Sequence, residues 1–272
     1  MTTGIYLRDL SRWQEIITLH NKRINWIVCG DYGCPEILPT VAELLKLRDR
    51  LFWEKIELYY ISPKVNQKNI GEEASRVRLL LKEGIRVSIN DWGLLYRIRS
   101  DIKLGHSVYI GRLLSKSIAN WAWWPNYLAA EIQATIDYFT QSNFQQKQKL
   151  DLLKKWGVTG IEVNVEPVSE NSYAKIKNQG LEIIGYMENK ILAVARACPI
   201  ARLNQVNVSR SNCTKLCRES FKVVPAEAER QKFFPSMALL GNVMYCQGHR
   251  KTGWDGYRSL IYYAEYMNSQ SN

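Results

Sequence analysis

Short apolar runs alternate with segments that place apolar side chains at helical spacing, and this alternation constrains the fold more than any other feature of the chain. It begins at Trp26 and continues for most of the sequence. Such alternation is typical of βα units and a parallel sheet. We predict strands at residues 26–30, 55–61, 85–90, 108–113 and 160–166, with further strand segments at 181–187 and 237–245.

Three helices are predicted between these strands, at residues 36–50, 72–83 and 145–156. Gly84 and Gly157 follow the second and third, where a helix end needs a residue that tolerates positive φ. At 272 residues the chain has a length that α/β barrels commonly use as one domain. No repeat or Pro/Gly/Ser-rich linker divides it. We therefore predict a single TIM-barrel-like α/β domain over residues 1–272, regular or irregular in outline.

Two of the predicted strands alternate apolar with polar side chains, as strands between a lumen and an outer helical layer do. The polar face is expected to point inward, and it carries Arg86, Ser88, Asn90, Glu162, Asn164 and Glu166. A lumen this polar suits a buried ligand site better than a structural core. Arg86, Asn90 and Glu162 are therefore predicted to bind substrate. The alternative is an antiparallel sheet with one solvated face.

The net charge of +11 is compatible with attraction to a polyanion or with a solvated basic surface. No RNA-binding signature such as an RNP-like strand or a GXXG loop accompanies it. The first residues show no secretory signal, and no apolar stretch approaches the roughly 20 residues needed to span a bilayer. We expect a cytoplasmic protein with no membrane span.

Six unevenly spaced cysteines in such a protein favour metal or redox chemistry over a disulfide framework. Cys213 and Cys217 lie four residues apart, so one helical turn or tight loop can bring both sulfurs to one ion. Cys198 can fold back onto them from the preceding segment. A fourth ligand must come from elsewhere, and Cys34 follows the first predicted strand, where a barrel presents its functional loops.

Soft thiolates select zinc or an iron–sulfur cluster, and compact structural zinc sites usually use CxxC-like pairs. The CxxxC spacing of Cys213 and Cys217 favours the cluster. We therefore predict an iron–sulfur site on Cys34, Cys198, Cys213 and Cys217, with zinc as the alternative metal and inert buried cysteines as the alternative to any metal.

The sequence around these cysteines resembles the U32 peptidase-like family, and within it the UbiV-type proteins of oxygen-independent ubiquinone biosynthesis. The resemblance rests on Gly-Asp at 30–31 before Cys34, on GYMENKILA at 185–193 leading to Arg-Ala-Cys at 196–198, on Cys213 and Cys217, and on pieces at 90–93, 156–163 and 240–242. It spans most of the chain.

This resemblance implies a barrel-like α/β fold carrying a [4Fe-4S] cluster on the four cysteines, and participation in hydroxylation without molecular oxygen. In UbiV-type proteins the work is shared with a homologous UbiU-type subunit, so a heterodimer is implied. The peptidase label in the family name finds no support in the residues, because the chain contains neither an HExxH motif nor a nucleophile elbow.

Asp31, Asp91 and Glu166 fall at predicted carboxyl ends of strands, where barrel enzymes place acid–base groups. They are the predicted catalytic residues, with Glu166 the first choice, because ordinary helix capping competes for the two aspartates.

The aromatic run WAWWP contains Trp121, Trp123 and Trp124. Indole rings supply large stacking surfaces, so these residues are predicted to bind a flat aromatic substrate. Packing of the run against the core is the alternative.

The hypothesis that follows is a [4Fe-4S]-containing subunit of a heteromeric, oxygen-independent hydroxylase that acts on a small aromatic substrate such as a ubiquinone precursor. A second interpretation keeps the fold and cluster but takes structured RNA as substrate, because the basic charge would suit it. A third is a non-catalytic partner subunit stabilised by zinc. A fourth is a U32-like peptidase.

Overall fold

The computed structural model describes residues 1–19, 24–117, 133–195, 198–203, 221–223, 237–248 and 252–264. Eight parallel strands close into a barrel: β1 (Thr2–Tyr6), β2 (Trp26–Gly30), β3 (Glu57–Ile61), β4 (Arg86–Ile89), β5 (Val108–Ile110), β6 (Gly160–Asn164), β7 (Glu182–Tyr186) and β12 (Ser259–Tyr263). Neighbours follow chain order, and β1 closes the ring by pairing with both β2 and β12. The predicted TIM-barrel-like α/β fold is confirmed.

The helices are α1 (Trp13–Leu19), α2 (Val41–Trp53), α3 (Ile70–Lys82), α4 (Trp92–Ile98), α5 (Gln133–Phe139), α6 (Lys147–Lys155), α7 (Glu170–Asn178) and α8 (Pro199–Leu203). Short 3-10 turns lie at Leu10–Arg12, Pro35–Ile37 and Pro167–Ser169. Among the described residues, none of the helices combines the length and the apolar character that crossing a membrane requires.

A second, four-stranded antiparallel sheet is inserted between β7 and β12. Its strands are β8 (Asn189–Val194), β9 (Phe221–Val223), β10 (Met237–Leu240) and β11 (Val243–Gln247), arranged in the order β8-β11-β10-β9. We call it the small sheet. The prediction of one continuous strand at 237–245 is wrong, because the chain reverses at Gly241 and Asn242. Gly241 has a φ of 61°, which a two-residue hairpin turn requires and which glycine adopts freely.

The helix predicted at 36–50 begins later, at Val41. Pro39 disfavours the helical conformation for the residue before it, and Leu38 is accordingly extended, with a ψ of 138°. Thr40 then starts the helix with a capping box, in which its hydroxyl accepts the Glu43 N–H and the Glu43 carboxylate accepts the Thr40 N–H.

Buried side chains fall into an outer layer, between strands and helices, and a lumen layer inside the barrel. In β2, Ile27 and Cys29 face outward while Trp26 and Val28 face the lumen. The inward orientation predicted for the polar residues of β4 and β6 is therefore confirmed, because Ile161 and Val163 lie in the outer layer and Glu162 hydrogen-bonds inside the barrel.

The small sheet packs on the carboxyl-terminal end of the barrel. It contributes four side chains to the lumen layer, namely Ile191, Leu240, Val243 and Tyr245. Barrels present their functional loops at this end. The small sheet therefore lies where the loops that follow β2, β3 and β4 converge.

Candidate functional site

The loop after β2 is held by the carboxylate of Asp31. Its Oδ1 accepts the N–H of Gly33 at 2.8 Å and that of Cys34 at 2.6 Å, while Arg8 Nε lies 3.8 Å from Oδ2. Burial raises the pKa of Asp31, although Arg8 and the two backbone N–H groups lower it. Asp31 thus lies at the predicted carboxyl end, and in this structure it fixes the backbone that carries Cys34.

This loop docks directly on the small sheet. Asn242 donates its side-chain amide to the carbonyl of Gly33 at 3.0 Å. A Cβ atom on Gly33 would lie only 2.6 Å from Cγ1 of Val194, so a glycine is needed for this close approach. The Cys34 side chain is buried, with 6% of its surface exposed.

Cys198 lies after β8 of the small sheet, just before α8. Its sulfur accepts the N–H of Ala201 at 3.4 Å, at the start of α8, and the residue is partly exposed. Leu239 of β10 contacts both Cys198 and Ile37, and Ile37 belongs to the turn that follows Cys34. Two of the four predicted metal-binding cysteines therefore lie in segments that pack on one leucine.

Cys213 and Cys217 lie outside the described residues, as do Trp121, Trp123 and Trp124. Within the described ranges no group of three or more His, Cys, Asp or Glu side chains could hold a metal ion. The donors that this part of the chain offers at the site are the thiols of Cys34 and Cys198, which are soft and fit iron–sulfur or zinc ligation.

Cys29 and Cys246 are buried core residues, as the sequence suggested. Cys29 is fully buried in the outer layer. Cys246, on β11, is 3% exposed, and burial raises the pKa of its thiol to about 11. Such thiols are unreactive near neutral pH.

Glu162 is the central carboxylate of the lumen. Its Oε1 accepts the hydroxyls of Tyr59 at 2.5 Å and Tyr186 at 2.8 Å, and its Oε2 accepts the Ser88 hydroxyl at 2.8 Å. Burial raises the pKa of Glu162, while these hydrogen bonds and the charge of Arg112 lower it. The lumen is polar, as predicted, but hydroxyl groups of the protein itself already donate hydrogen bonds to the Glu162 carboxylate.

Arg112 is the residue that the sequence analysis missed. It is 1% exposed and lies just beyond β5. Its guanidinium donates to Tyr32 at 3.1 Å, to the Asn164 side chain at 2.9 Å, to the Asn189 carbonyl at 2.8 Å and to Tyr263. Its Cζ lies 3.9 Å from the ring centroid of Tyr186. Arg112 joins the barrel to the first strand of the small sheet.

The three lumen residues predicted to bind substrate lie at different levels along the barrel axis. Arg86 lies at the amino-terminal end of the barrel, where it pairs with Glu57, donates to Tyr109 at 3.1 Å and stacks on Trp26. Glu162 lies between the two ends.

Asn90 lies at the carboxyl-terminal end and bridges neighbouring strands. Its Nδ2 donates to the Ser62 carbonyl at 3.0 Å, and its Oδ1 accepts the Leu113 N–H at 3.2 Å. The structure does not bring Arg86, Asn90 and Glu162 to one surface.

The other two predicted catalytic carboxylates do follow the carboxyl ends of strands. Asp91 caps α4 by accepting the Leu94 N–H at 3.1 Å. Glu166 is 2% exposed and forms an ion pair with Lys190 of the small sheet. Asp91 also lines a cleft of about 430 Å³ beside the Cys34 loop. Asp91 therefore faces a space large enough for a ligand.

A scan of the sequence against protein-family models finds no match, and a search of curated proteins finds none either. Among solved structures the chain is similar to the U32 peptidase Mk0906, with 12% identity, 97% of this chain and 93% of that chain covered, and a TM-score of 0.48. It is also similar to TsXylA, an intracellular xylanase from Thermoanaerobacterium saccharolyticum, with 13% identity, coverage of 75% and 77%, and a TM-score of 0.41. The barrel assignment rests on the strand order of the chain itself.

Proposed function

We propose that this protein is an iron–sulfur subunit of an oxygen-independent hydroxylation system that acts on a small aromatic molecule such as a quinone precursor. Its [4Fe-4S] cluster would be held by Cys34, Cys198, Cys213 and Cys217. Its partner would be a homologous barrel subunit, as the resemblance of the sequence to UbiV-type proteins implies.

The observation that carries the proposal is the convergence on Leu239. Cys34 and Cys198 are far apart in the sequence and lie on unrelated elements, yet the segments that carry them pack on the same side chain. The contact on Leu239 is made by Cys198 itself and by Ile37, three residues after Cys34, whereas Cys29 lies in the outer layer of the barrel. The convergence supports a shared ligand at the carboxyl-terminal mouth.

At such a site, protein groups would hold the Cys34 loop in place and exclude water. Asp31 holds the Cys34 loop through two backbone hydrogen bonds, and Asn242 locks the same loop to the small sheet. The small sheet covers the lumen, which keeps the tyrosine-rich interior dry. Bound iron–sulfur would supply electron transfer or activation of the oxygen donor, and the protein would orient the substrate beside it.

The test is anaerobic purification of the full chain, followed by iron, sulfide and zinc analysis and an absorption spectrum. We expect about four irons and four sulfides per chain and a brown protein. Cys198→Ser and Cys213→Ser should lose the iron and the colour. Cys246→Ala is the matched control, because it removes a buried thiol that is not one of the four proposed ligands, and it should keep both.

Two outcomes would contradict the proposal. Stoichiometric zinc in a colourless protein would instead indicate a zinc-stabilised partner subunit. Loss of iron in Cys246→Ala to the same extent as in Cys198→Ser would show that the iron depends on folding in general rather than on the four ligands.

A further inference from the structure

The cleft beside the Cys34 loop is built by loops from four parts of the fold. Gly33 and Pro35 form one side, the segment after β3 contributes Lys64 and its neighbours, Asp91 enters from the start of α4, and Val194 comes from the small sheet. Its volume of about 430 Å³ lies within the range of roughly 300 to 1,000 Å³ typical of small-molecule sites. The cleft therefore has room for one small ligand next to the loop that carries Cys34.

The lining of the cleft carries one ammonium group, that of Lys64, and one carboxylate, that of Asp91. Lys64 is exposed, and Lys116 lies close enough that, after burial, the charge of Lys64 is the next factor that lowers the pKa of Lys116. Among the described residues neither ammonium has a carboxylate oxygen within 4.0 Å. An ammonium group placed like that of Lys64 can attract an anion to one side of the cleft.

The walls add two further kinds of contact. Apolar surface comes from Pro35, Val65 and Val194. Polar contacts come from the exposed amides of Asn66 and Gln67 and from the carboxylate of Asp91, whose Oδ1 is engaged by the Leu94 N–H. A carboxylate can accept several hydrogen bonds, so Asp91 can also accept one from a ligand hydroxyl.

We propose that this cleft binds a small organic acid that carries a hydroxyl group on an apolar body, with its carboxylate on Lys64 and its hydroxyl on Asp91. The cleft would be the substrate site of the hydroxylation system, and this role rests on the proposed function. The binding itself does not, because it depends on residues outside the cysteine set.

The test is isothermal titration of the full-length, iron-analysed protein with 4-hydroxybenzoate, benzoate and the neutral 4-hydroxybenzamide. We expect 4-hydroxybenzoate to bind and Lys64→Met to weaken it about tenfold, because a charge-assisted hydrogen bond is lost. Lys68→Met is the matched control, since Lys68 lies on the same segment but does not line the cleft, and it should leave the affinity unchanged. Asp91→Asn keeps the helix cap and should reduce the preference for 4-hydroxybenzoate over benzoate.

If the folded, iron-containing protein binds none of the three compounds at millimolar concentration, the assignment of the cleft is overturned. The proposal of an iron–sulfur cluster is not affected by this result. Equal binding by the wild type and Lys64→Met would overturn the assignment of the cleft too. The protein could also bind 4-hydroxybenzoate, with the affinity weakened by Lys64→Met and unchanged by Lys68→Met, and yet contain no iron. This result would support the cleft and contradict the proposed cluster, so the two proposals can fail separately.

Discussion

The guanidinium of Arg112 lies over the ring of Tyr186, with Cζ 3.9 Å from the ring centroid, at the level where the small sheet covers the barrel. Tyr186 in turn donates its hydroxyl to Glu162 at 2.8 Å. One buried cation and one buried carboxylate are thus linked through a tyrosine rather than through a direct ion pair. This link couples the lumen to the strand that leads into the small sheet.

Replacement of Arg112 by leucine should destabilise the protein strongly. The change leaves Asn164 and the Asn189 carbonyl without their donor in a buried place, and we expect the free energy of unfolding to fall by about 2 to 4 kcal/mol. Chemical denaturation followed by circular dichroism measures this. Arg99→Leu is the control, because Arg99 also stacks on a tyrosine, Tyr96, but at the exposed surface. A similar loss in both variants would contradict a special role for Arg112.

The ionisation of Glu162 should make stability depend on pH. Burial raises its pKa in the folded state above the unfolded value, so the folded protein holds this proton more tightly. The resulting stabilisation is fully present below the unfolded pKa, about 4.3, and is lost as the pH rises through the folded pKa. We expect the free energy of unfolding of the wild type to fall over that window and Glu162→Gln to show a flatter profile.

Urea denaturation at several pH values between 4 and 8 checks this expectation (roughly the range in which shifted carboxyl groups titrate). Glu15→Gln is a control of the opposite sign, because a hydrogen bond from Arg12 lowers the pKa of the exposed Glu15. If Glu162→Gln keeps the full pH dependence of the wild type, another buried carboxyl group is responsible.

Periodicity predicted the lumen face of β4 and β6 because both are regular strands. Ser88 and Glu162 lie two strands apart and still meet inside the barrel. The same two-residue alternation predicts the wrong position for Arg112. Continued from Val108 and Ile110, it would place the Arg112 side chain in the outer layer, between the strands and the helices. The strand ends at Ile110, and the chain then passes so close to Asn90 that a Cβ atom at position 111 would lie 2.1 Å from the Asn90 Oδ1.

Other parts of the fold had weaker signals. Strands β1 and β12 were not predicted, because they lie outside the βα alternation that begins at Trp26, and their place is set by the closure of the barrel. The cysteine constellation stays a prediction from residue type and spacing, because Cys213 and Cys217 lie outside the described residues. The contact of Cys198 and Ile37 with Leu239 could not be predicted, because it joins elements that are distant in sequence.

The Cys34 loop approaches the small sheet closely at Gly33. Replacement by alanine would place a methyl group 2.6 Å from Val194 and 3.1 Å from Asn242. We expect a loss of about 1 to 3 kcal/mol, as for other overpacked sites, and a lower iron content after anaerobic purification. Gly71→Ala is the matched control, because nothing lies within 4 Å of its added Cβ on α3, and it should keep both stability and iron. Normal iron content in Gly33→Ala would show that the ligand geometry tolerates a shifted loop.

The buried pair of Glu166 and Lys190 offers a test of whether Glu166 is structural or catalytic. The pair ties the end of β6 to β8 of the small sheet, and both side chains are almost inaccessible. Lys190→Met should lower the free energy of unfolding by about 3 kcal/mol, because it removes the cationic partner of a buried carboxylate. The double variant, which adds Glu166→Leu, should regain most of the lost free energy of unfolding, because both charges are then absent. Thermal and urea denaturation of the two single variants and the double variant measure the coupling energy. If the double variant regains stability but lacks the hydroxylation activity that we propose for the protein with its partner, Glu166 has a role in the chemistry, whereas recovery of both would make it a structural residue.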